Sequence, residues 1–235
     1  MTNVLTFDNL EKIHVRKPVE RVPFISSLTT GKTVLDIGCF DETAQSKINT
    51  DYWLHAQITK RAKKVTGVDN SELIPPEGIK ENENCYIYKG DATNISPSIL
   101  KDTVFDMVVA GEFIEHIENH VSFFKYVKEN FKNSTIVIST PNGMAFSNFL
   151  MGMIKREVQH PDHLHVFSYK TLYVVCKRAG FTDFEIIPYQ FYATEMILKS
   201  TGFKKTMVKG IEKFIKFFER IFRLNCMGYI VVINN

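Results

Sequence analysis

"VLDIGCFDE" (residues 34–42) joins a short apolar run to a glycine turn, and a helical pattern follows it directly. In doubly wound sheets, ligands bind outside the carboxyl ends of the parallel strands, where such turns let the backbone approach a ligand closely. A single glycine in one turn is a weak signal. Whether this stretch opens a parallel sheet depends on the order of the segments that follow it.

Short strand-like runs alternate with helical patterns along the first 140 residues. The strand-like runs are 32–37, 64–68, 85–89, 105–110 and 134–140, and the helix-like stretches include 43–62 and 114–132. This order predicts an α/β fold with a parallel sheet and helices on both of its faces. The unbroken apolar runs "MVVA" and "TIVI" are typical of strands that are buried on both sides.

The last third of the chain has a different order. A loop with a short helix follows residue 140, and a helix from about Ser168 to Arg178 ends at Gly180. Two further strand-like runs, 184–189 and 228–234, enclose a segment that is too long for a hairpin turn. We therefore predict one domain over residues 1–235, with an insertion at about 191–226.

Composition limits the class of protein. The 235 residues are 44% hydrophobic and 23% charged, as in soluble globular domains. The net charge of +3 is too small to indicate nucleic-acid binding by itself. Without an apolar signal region or an apolar run of about 18 residues, the sequence predicts a cytoplasmic protein. The four cysteines are scattered, which predicts reduced thiols rather than a disulfide framework or a zinc site.

Acidic residues follow the strand-like runs at the same predicted edge as the glycine turn. Asp69 ends the second run, where a carboxylate can accept hydrogen bonds from both hydroxyls of a ribose. Asp91 follows the third run, where a carboxylate can accept from an adenine amino group, although it also fits the N-cap of a short helix near Asn94. The fourth run ends beside the same crevice at "AGE".

These marks resemble the class I S-adenosylmethionine-dependent methyltransferases. That family has a hydrophobic-D-x-G pattern, an acid that ends the second strand, a G-D-A and an F-D-x-V, all of which occur here in order; "STPN" and "HLHVFSYKTLYVVCKRAGF" resemble its later part. The resemblance implies a Rossmann-like, doubly wound, seven-stranded sheet, mostly parallel with an antiparallel last strand. It also implies S-adenosyl-L-methionine as cofactor, with binding residues Asp36, Gly38, Asp69, Asp91, Ala92 and Ala110.

The first loop departs from the family pattern, because it keeps Gly38 where the family usually has two or three glycines. This loss is the feature that favours a non-catalytic module that retains the fold. A nicotinamide-binding Rossmann domain is a further alternative, but the chain lacks G-x-G-x-x-G.

"AGEFIEHIENH" (residues 110–120) places Glu112, Glu115 and His116 at i, i+3 and i+4, which predicts one face of a helix. E-x-x-E-H is similar to two branches of the family, the ubiquinone-pathway O-methyltransferases and the small-RNA 3′-terminal 2′-O-methyltransferases. In the second branch the two glutamates and the histidine join a later histidine around a divalent cation. Of the later histidines, His160, His163 and His165, His163 matches best.

Three roles stay open for this stretch. Glu112, Glu115, His116 and His163 suit a site for Mg²⁺, Mn²⁺ or Zn²⁺ that holds a vicinal diol. Alternatively, His116 or His163 acts as a metal-free base beside Glu115, or the residues are structural. The chain lacks the D/N-P-P-Y/F motif of exocyclic-amine methyltransferases. The similarity of E-x-x-E-H to these two branches implies O-methylation of a small-molecule, lipid-linked or glycan-type hydroxyl. An RNA 2′-O-methyltransferase is the alternative.

The segment 199–224 is basic and amphipathic. It holds eight lysine or arginine residues and two glutamates, in a chain whose net charge is only +3. Its apolar positions follow a helical period, at Met207, Val208, Ile211, Phe214, Ile215, Phe218, Ile221 and Phe222. A lid that packs on the domain and a peripheral contact with an anionic membrane both fit this pattern. Nucleic acid fits less well, because no base-stacking motif accompanies the charges.

Overall fold

A computed structural model describes residues 5, 7–8, 10–40, 44–47 and 50–235 of the chain. The strands are β1 Thr33–Ile37, β2 Lys64–Asp69, β3 Ile79–Asn82, β4 Cys85–Lys89, β5 Met107–Gly111, β6 Thr135–Pro141, β7 Phe184–Tyr189 and β8 Gly228–Asn234. The helices are α1 Arg21–Leu28, α2 Ala44–Lys47, α3 Leu54–Thr59, α4 Pro97–Leu100, α5 His120–Asn130, α6 Phe146–Met153, α7 Tyr169–Arg178, α8 Thr194–Leu198 and α9 Gly202–Ile221.

The strands form one sheet in the order β3-β4-β2-β1-β5-β6-β8-β7. Strand β8 pairs antiparallel with both β6 and β7, and β3 pairs antiparallel with β4, while the other neighbours are parallel. The predicted doubly wound sheet with an antiparallel last strand is confirmed. Among the described residues the sheet has eight strands rather than seven, because the edge strand β3 was not predicted from its polar sequence, "IKEN".

Alternate residues of the central strands enter cores on the two faces of the sheet. On one face, Leu35, Val108 and Ile136 lie in a cluster with side chains of α5 and α7. On the other face, Val34 and Val109 lie in a cluster with side chains of α1 and α3. Burial on both faces explains why these strands read as continuous apolar runs.

Two helix predictions need correction. The stretch 43–62 contains α2 and α3 as separate helices, and its residues 43 and 48–49, like residues 41–42 of the first loop, lie outside the described residues. The predicted helix 114–132 begins only at His120, where the Asn119 side chain accepts a hydrogen bond from the Ser122 N–H at 3.0 Å. Glu112, Glu115 and His116 therefore lie on a loop, and their predicted placement on a helix face is wrong.

The predicted helical insertion lies at the carboxyl edge of the parallel strands. It contains α8 and α9, leaves the sheet at Tyr189 and returns at Gly228, which pairs with Pro141 at the end of β6. Helix α6 also follows the end of β6. Helices α6, α8 and α9 are therefore connected to the edge at which a doubly wound sheet binds its ligands. Within the described part of the chain, no helix has both the length and the apolar character needed to cross a membrane.

Candidate active site

The turn after β1 requires a glycine. Gly38 has a φ of 66°, a left-handed conformation that favours glycine, and its N–H donates to the Val68 carbonyl at 2.9 Å. A Cβ at this position would lie 2.6 Å from Cδ2 of Phe113, the second residue after β5. The single glycine of this loop therefore occupies the position where no side chain fits.

Asp69 ties the first loop to the end of β2. Its carboxylate is buried and accepts hydrogen bonds from the Phe40 N–H at 2.9 Å and the Ser71 N–H at 2.8 Å. Phe40 is the second residue after Gly38. The carboxylate predicted to hold a ribose thus also fixes the backbone of the loop that would border the same ligand.

Asp36 makes a contact that the sequence did not indicate. Its Oδ2 lies 2.7 Å from Nδ1 of His55 on α3, and both side chains are buried. Trp53, two residues earlier, donates from its indole N–H to the Cys39 carbonyl at 3.0 Å. The segment around α3 therefore fixes β1 and the first loop through Trp53 and His55, a role that the sequence does not indicate for either residue.

The remaining predicted cofactor residues lie after β4 and within β5. The Asp91 carboxylate accepts hydrogen bonds from the backbone N–H and the hydroxyl of Thr93, and these bonds hold its pKa below the usual range. Asp91 is exposed, and Ala92 beside it is buried. Ala110 is buried in β5, where it pairs with Ile37 of β1 and Ile138 of β6. The carboxylate of Asp91 is therefore ionised and accessible at the edge of the sheet.

Glu112 is bound by residues that are distant in the sequence. Its Oε1 accepts hydrogen bonds from the hydroxyls of Tyr189 at 2.8 Å and Tyr192 at 2.6 Å, and its Oε2 lies 3.5 Å from Nη1 of Arg21. Burial by itself would raise the pKa of Glu112, but Arg21 and the two hydroxyls together lower it. Arg21 also donates to the Ser139 hydroxyl at 2.9 Å, which joins α1 to β6.

Glu115, His116 and His163 come together on the same rim. One ligand atom from each residue lies within 4.8 Å of the others. Backbone hydrogen bonds hold the segment of His163 against Glu115, because the Leu164 and His165 N–H groups donate to the Glu115 carbonyl at 2.8 and 3.2 Å. Glu112 lies outside this group, since its carboxylate is bound by Arg21 and the tyrosines.

The other two late histidines, His160 and His165, lie in different places. The His160 ring lies 5.7 Å from the His163 ring and 6.1 Å from the His116 ring. His165 instead lies beside His120, with a ring separation of 4.6 Å, and its Nε2 is 3.2 Å from the Glu118 carbonyl. His163 is therefore the late histidine that the structure brings to Glu115 and His116.

Glu115 is the unusual member of the group. Its side chain is 1% exposed, and neither carboxylate oxygen makes a hydrogen bond of good geometry with the described residues, although the equally unpaired Thr140 hydroxyl lies close enough to lower the pKa of Glu115 slightly. Burial, followed by the nearby charge of Glu112, raises its pKa to about 8. Burial and the neighbouring His116 and His160 lower the pKa of His163, which keeps its ring neutral near pH 7. A buried carboxylate without a partner beside a neutral imidazole fits a divalent cation.

Comparisons with known proteins identify the family and the fold. A family model described as a methyltransferase domain matches residues 11–186. A solved S-adenosylmethionine-dependent methyltransferase from Archaeoglobus fulgidus is 20% identical, with coverage of 91% of this chain and 90% of the other and a TM-score of 0.51. A possible histamine N-methyltransferase from Thermotoga maritima is 16% identical, with coverage of 91% and 86% and a TM-score of 0.57.

The small RNA methyltransferase HEN1 is a third solved structure with this fold. It is 15% identical, with a TM-score of 0.57, and the match covers 96% of this chain and 27% of that longer chain. At such identities the likeness to the three structures concerns the fold. The search of curated proteins gave no match.

Proposed function

The chain belongs to the methyltransferase domain family of S-adenosylmethionine-dependent enzymes, and from this premise we propose that it methylates a hydroxyl group of an amphiphilic acceptor. The cofactor supplies an electrophilic methyl group on a sulfonium. The chain has to hold the cofactor, align the acceptor with the methyl group and accept a proton from a hydroxyl. We assign cofactor binding to Gly38, Asp69 and Asp91, which lie at the carboxyl ends of parallel strands, where such folds bind their ligands.

The observation that carries the hydroxyl proposal is the buried, unpartnered carboxylate of Glu115 beside His116 and His163. An acceptor hydroxyl needs help to lose its proton, whereas a thiolate or free amine does not. Glu115, His116 and His163 would hold a divalent cation, which would lower the pKa of a hydroxyl bound to it. Mg²⁺, Mn²⁺ and Zn²⁺ all accept carboxylate and imidazole ligands.

The amphiphilic character of the acceptor is supported by helices α6 and α9. Phe214 and Phe217 of α9 are 58% and 63% exposed, and Phe149 of α6 is 63% exposed. Between the two helices lies a cavity of about 580 Å³, lined by Met144, Phe146, Phe149, Phe218 and Phe222 among others. A contiguous apolar surface of this kind on a folded domain commonly marks an interaction site.

Charge supports the same acceptor class. The apolar side chains of α9 alternate with lysines at Lys204, Lys205, Lys209 and Lys213, and these positions are exposed. A basic helix with exposed phenylalanines matches an anionic membrane surface. A lipid-linked acceptor held there would present its head group to the carboxyl edge of the sheet, where Glu115 lies.

A terminal ribose of RNA is the rival acceptor, because it also offers a vicinal diol to a cation held by Glu115. Its support is the resemblance of E-x-x-E-H to the small-RNA branch of the family. Helix α9 fits it less well, since its lysines and exposed phenylalanines lie along one amphipathic helix, whereas proteins that bind single strands follow the phosphate backbone with a charged groove.

Calorimetric titration of Mg²⁺ and Mn²⁺ into protein saturated with S-adenosylhomocysteine tests the cation. We expect one equivalent of Mg²⁺ to bind to the unaltered protein and binding to weaken at least tenfold in Glu115→Gln, which keeps the shape of the side chain but cannot ionise to a carboxylate. Glu118→Gln is the matched control, because Glu118 is an exposed glutamate of the same loop.

Equal binding by the Glu115→Gln variant would contradict the assignment. Absence of binding in every variant, with S-adenosylhomocysteine still held, would leave His116 or His163 as a metal-free base. Failure of the unaltered protein to bind S-adenosylhomocysteine would contradict the proposed enzymatic role as a whole.

A further inference from the structure

Three potential metal ligands meet away from the Glu115 group. They come from separate elements, His55 on α3, Glu81 on β3 and Cys85 on β4. His55 Nε2 lies 3.3 Å from Cys85 Sγ and 3.4 Å from Glu81 Oε2, and Cys85 Sγ lies 3.4 Å from Glu81 Oε2. We propose that these three residues form a binding site for a divalent transition-metal ion such as zinc.

The distances match one face of a coordination tetrahedron. Zinc binds nitrogen and oxygen at about 2.0–2.2 Å and thiolate sulfur at about 2.3 Å, so that neighbouring tetrahedral ligands lie roughly 3.3–3.6 Å apart. The three separations between the His55, Glu81 and Cys85 atoms lie in or at the edge of this range. An ion could therefore be bound with little movement of the side chains.

The surroundings orient two of the ligands. Asp36 Oδ2, 2.7 Å from His55 Nδ1, holds a proton on Nδ1 and leaves Nε2, which faces Cys85 Sγ and Glu81 Oε2, as the ring atom that would bind an ion. A carboxylate behind a metal-binding histidine is a usual outer-shell arrangement. The Thr59 hydroxyl, which donates to the His55 carbonyl at 3.0 Å, also lies 3.5 Å from Cys85 Sγ and could donate to a thiolate there instead.

The surroundings also leave room for the His55 imidazole and a route from solvent. A Cβ on Gly67 would lie 2.7 Å from Cys39 Sγ and 3.2 Å from His55 Cε1, so the missing side chain makes room for the imidazole. His55 and Cys85 are buried, whereas the Glu81 side chain is 22% exposed and opens the group to solvent. On binding, the Cys85 thiol and His55 Nε2 would each release a proton to solvent, and the thiolate and carboxylate would neutralise the ion.

The site would link the edge strands to the first loop. Glu81 and Cys85 belong to the β3–β4 pair, and His55 contacts Asp36, two residues before Gly38. The scattered cysteines had predicted no zinc site, because that expectation considered closely spaced cysteine pairs. A mixed set of ligands from three elements has no such spacing.

Cobalt titration under a non-thiol reductant tests this site separately from the Glu115 group. We expect one equivalent of Co²⁺ to produce a thiolate-to-cobalt charge-transfer band in the near ultraviolet, which ligands of the Glu115 group cannot produce. His163→Ala should keep the band, as should Cys176→Ser, because Cys176 is a buried cysteine on α7. Competition with Zn²⁺ should abolish it.

Cys85→Ser should lose the band, and Glu81→Gln should weaken Co²⁺ binding at least tenfold while leaving the protein folded, since Glu81 lies partly in solvent. No band in the unaltered protein, or an equal band in the Cys85→Ser variant, would overturn the proposal. Undiminished affinity in the Glu81→Gln variant would remove Glu81 from the ligand set and overturn the three-residue site. Either result leaves the hydroxyl methylation untouched.

Discussion

At the scale of single residues, Gly38 shows how one backbone conformation shapes the cofactor loop. Its positive φ and the 2.6 Å approach of Phe113 to the position of a Cβ act together. A side chain here would have to strain the backbone and also displace an aromatic ring. The loop therefore tolerates Cys39 and Phe40 in place of further glycines, provided that Gly38 is kept.

We expect Gly38→Ala to lower the free energy of unfolding by about 1–3 kcal/mol and to weaken S-adenosylhomocysteine binding at least tenfold, because strain and clash occur in the loop itself. Gly210→Ala is the matched control. Gly210 lies inside α9, with no described atom within 4 Å of a Cβ, and alanine should stabilise the helix by about 0.5–1 kcal/mol. Thermal unfolding with and without ligand measures both. Unchanged binding by Gly38→Ala would contradict this role.

The contacts of Glu112 could not be predicted from the residues around it. The glutamate was predicted as a metal ligand from its spacing to Glu115 and His116, but Tyr189 and Tyr192 bind it from 77 and 80 residues away. Nothing local to "AGEFIEHIENH" indicates such partners. By contrast, His163 was selected by resemblance, and the structure places it beside Glu115 and His116.

At the scale of elements, burial decided which predictions succeeded. The seven strands predicted from apolar runs are present because their residues enter cores on the two faces of the sheet. Strand β3 has three exposed residues out of four and carried no apolar signal. The start of α5 was misplaced because Glu112, Glu115 and His116 have helical spacing, whereas Asn119 supplies the cap that begins the helix later.

The sequence predicts helix α9, but it does not predict which of the apolar side chains of the helix face the domain and which face solvent. Val208 and Ile215 are buried, while Met207, Ile211 and Phe214 of the same predicted stripe are exposed. The inward face also holds Glu219, which is fully buried and accepts a hydrogen bond from the Phe191 N–H at 2.7 Å. The hydrophobic period specifies a helix but not the surface against which the helix lies.

The burial of Glu219 predicts a pH dependence of stability. Burial raises its pKa to about 7 from an ordinary value of 4.5. The folded state therefore binds the proton more tightly than the unfolded state, and the stability present below pH 4.5 is lost as the pH rises through 7. We expect Glu219→Gln to match the unaltered protein at pH 4.5 and to exceed its stability by up to about 3 kcal/mol at pH 8.

Denaturant unfolding at the two pH values measures this difference. Glu195→Gln on α8 is the control, because Glu195 is half-exposed and should give no gain that grows with pH. A gain for Glu219→Gln that is the same at both pH values would show that Glu219 does not titrate between them. The nearby Lys216, which pairs with Glu212 at 2.9 Å, stays charged throughout this range.

At the scale of the whole molecule, the apolar helices and the candidate active site share one edge. Strands β6 and β7 end at Pro141 and Tyr189, and α6, α8 and α9 follow from these ends. The Phe146 ring of α6 stacks on the Phe218 ring of α9 at 3.7 Å, which joins the two helices into one surface. Sequence order predicted the insertion, but only the sheet topology shows that it lies beside the strand ends that carry Glu112 and Glu115.

This shared edge predicts binding to anionic vesicles. We expect the unaltered protein to sediment with phosphatidylcholine vesicles that contain phosphatidylglycerol, less so at high salt, because lysines and phenylalanines act together. Phe214→Ser with Phe217→Ser should weaken partitioning at least tenfold without loss of stability, since both side chains are exposed. Val104→Ser is the control, because Val104 is 78% exposed near the start of β5, at the opposite edge. Equal sedimentation of the double variant, or binding to short RNA in place of vesicles, would contradict the membrane-presented acceptor.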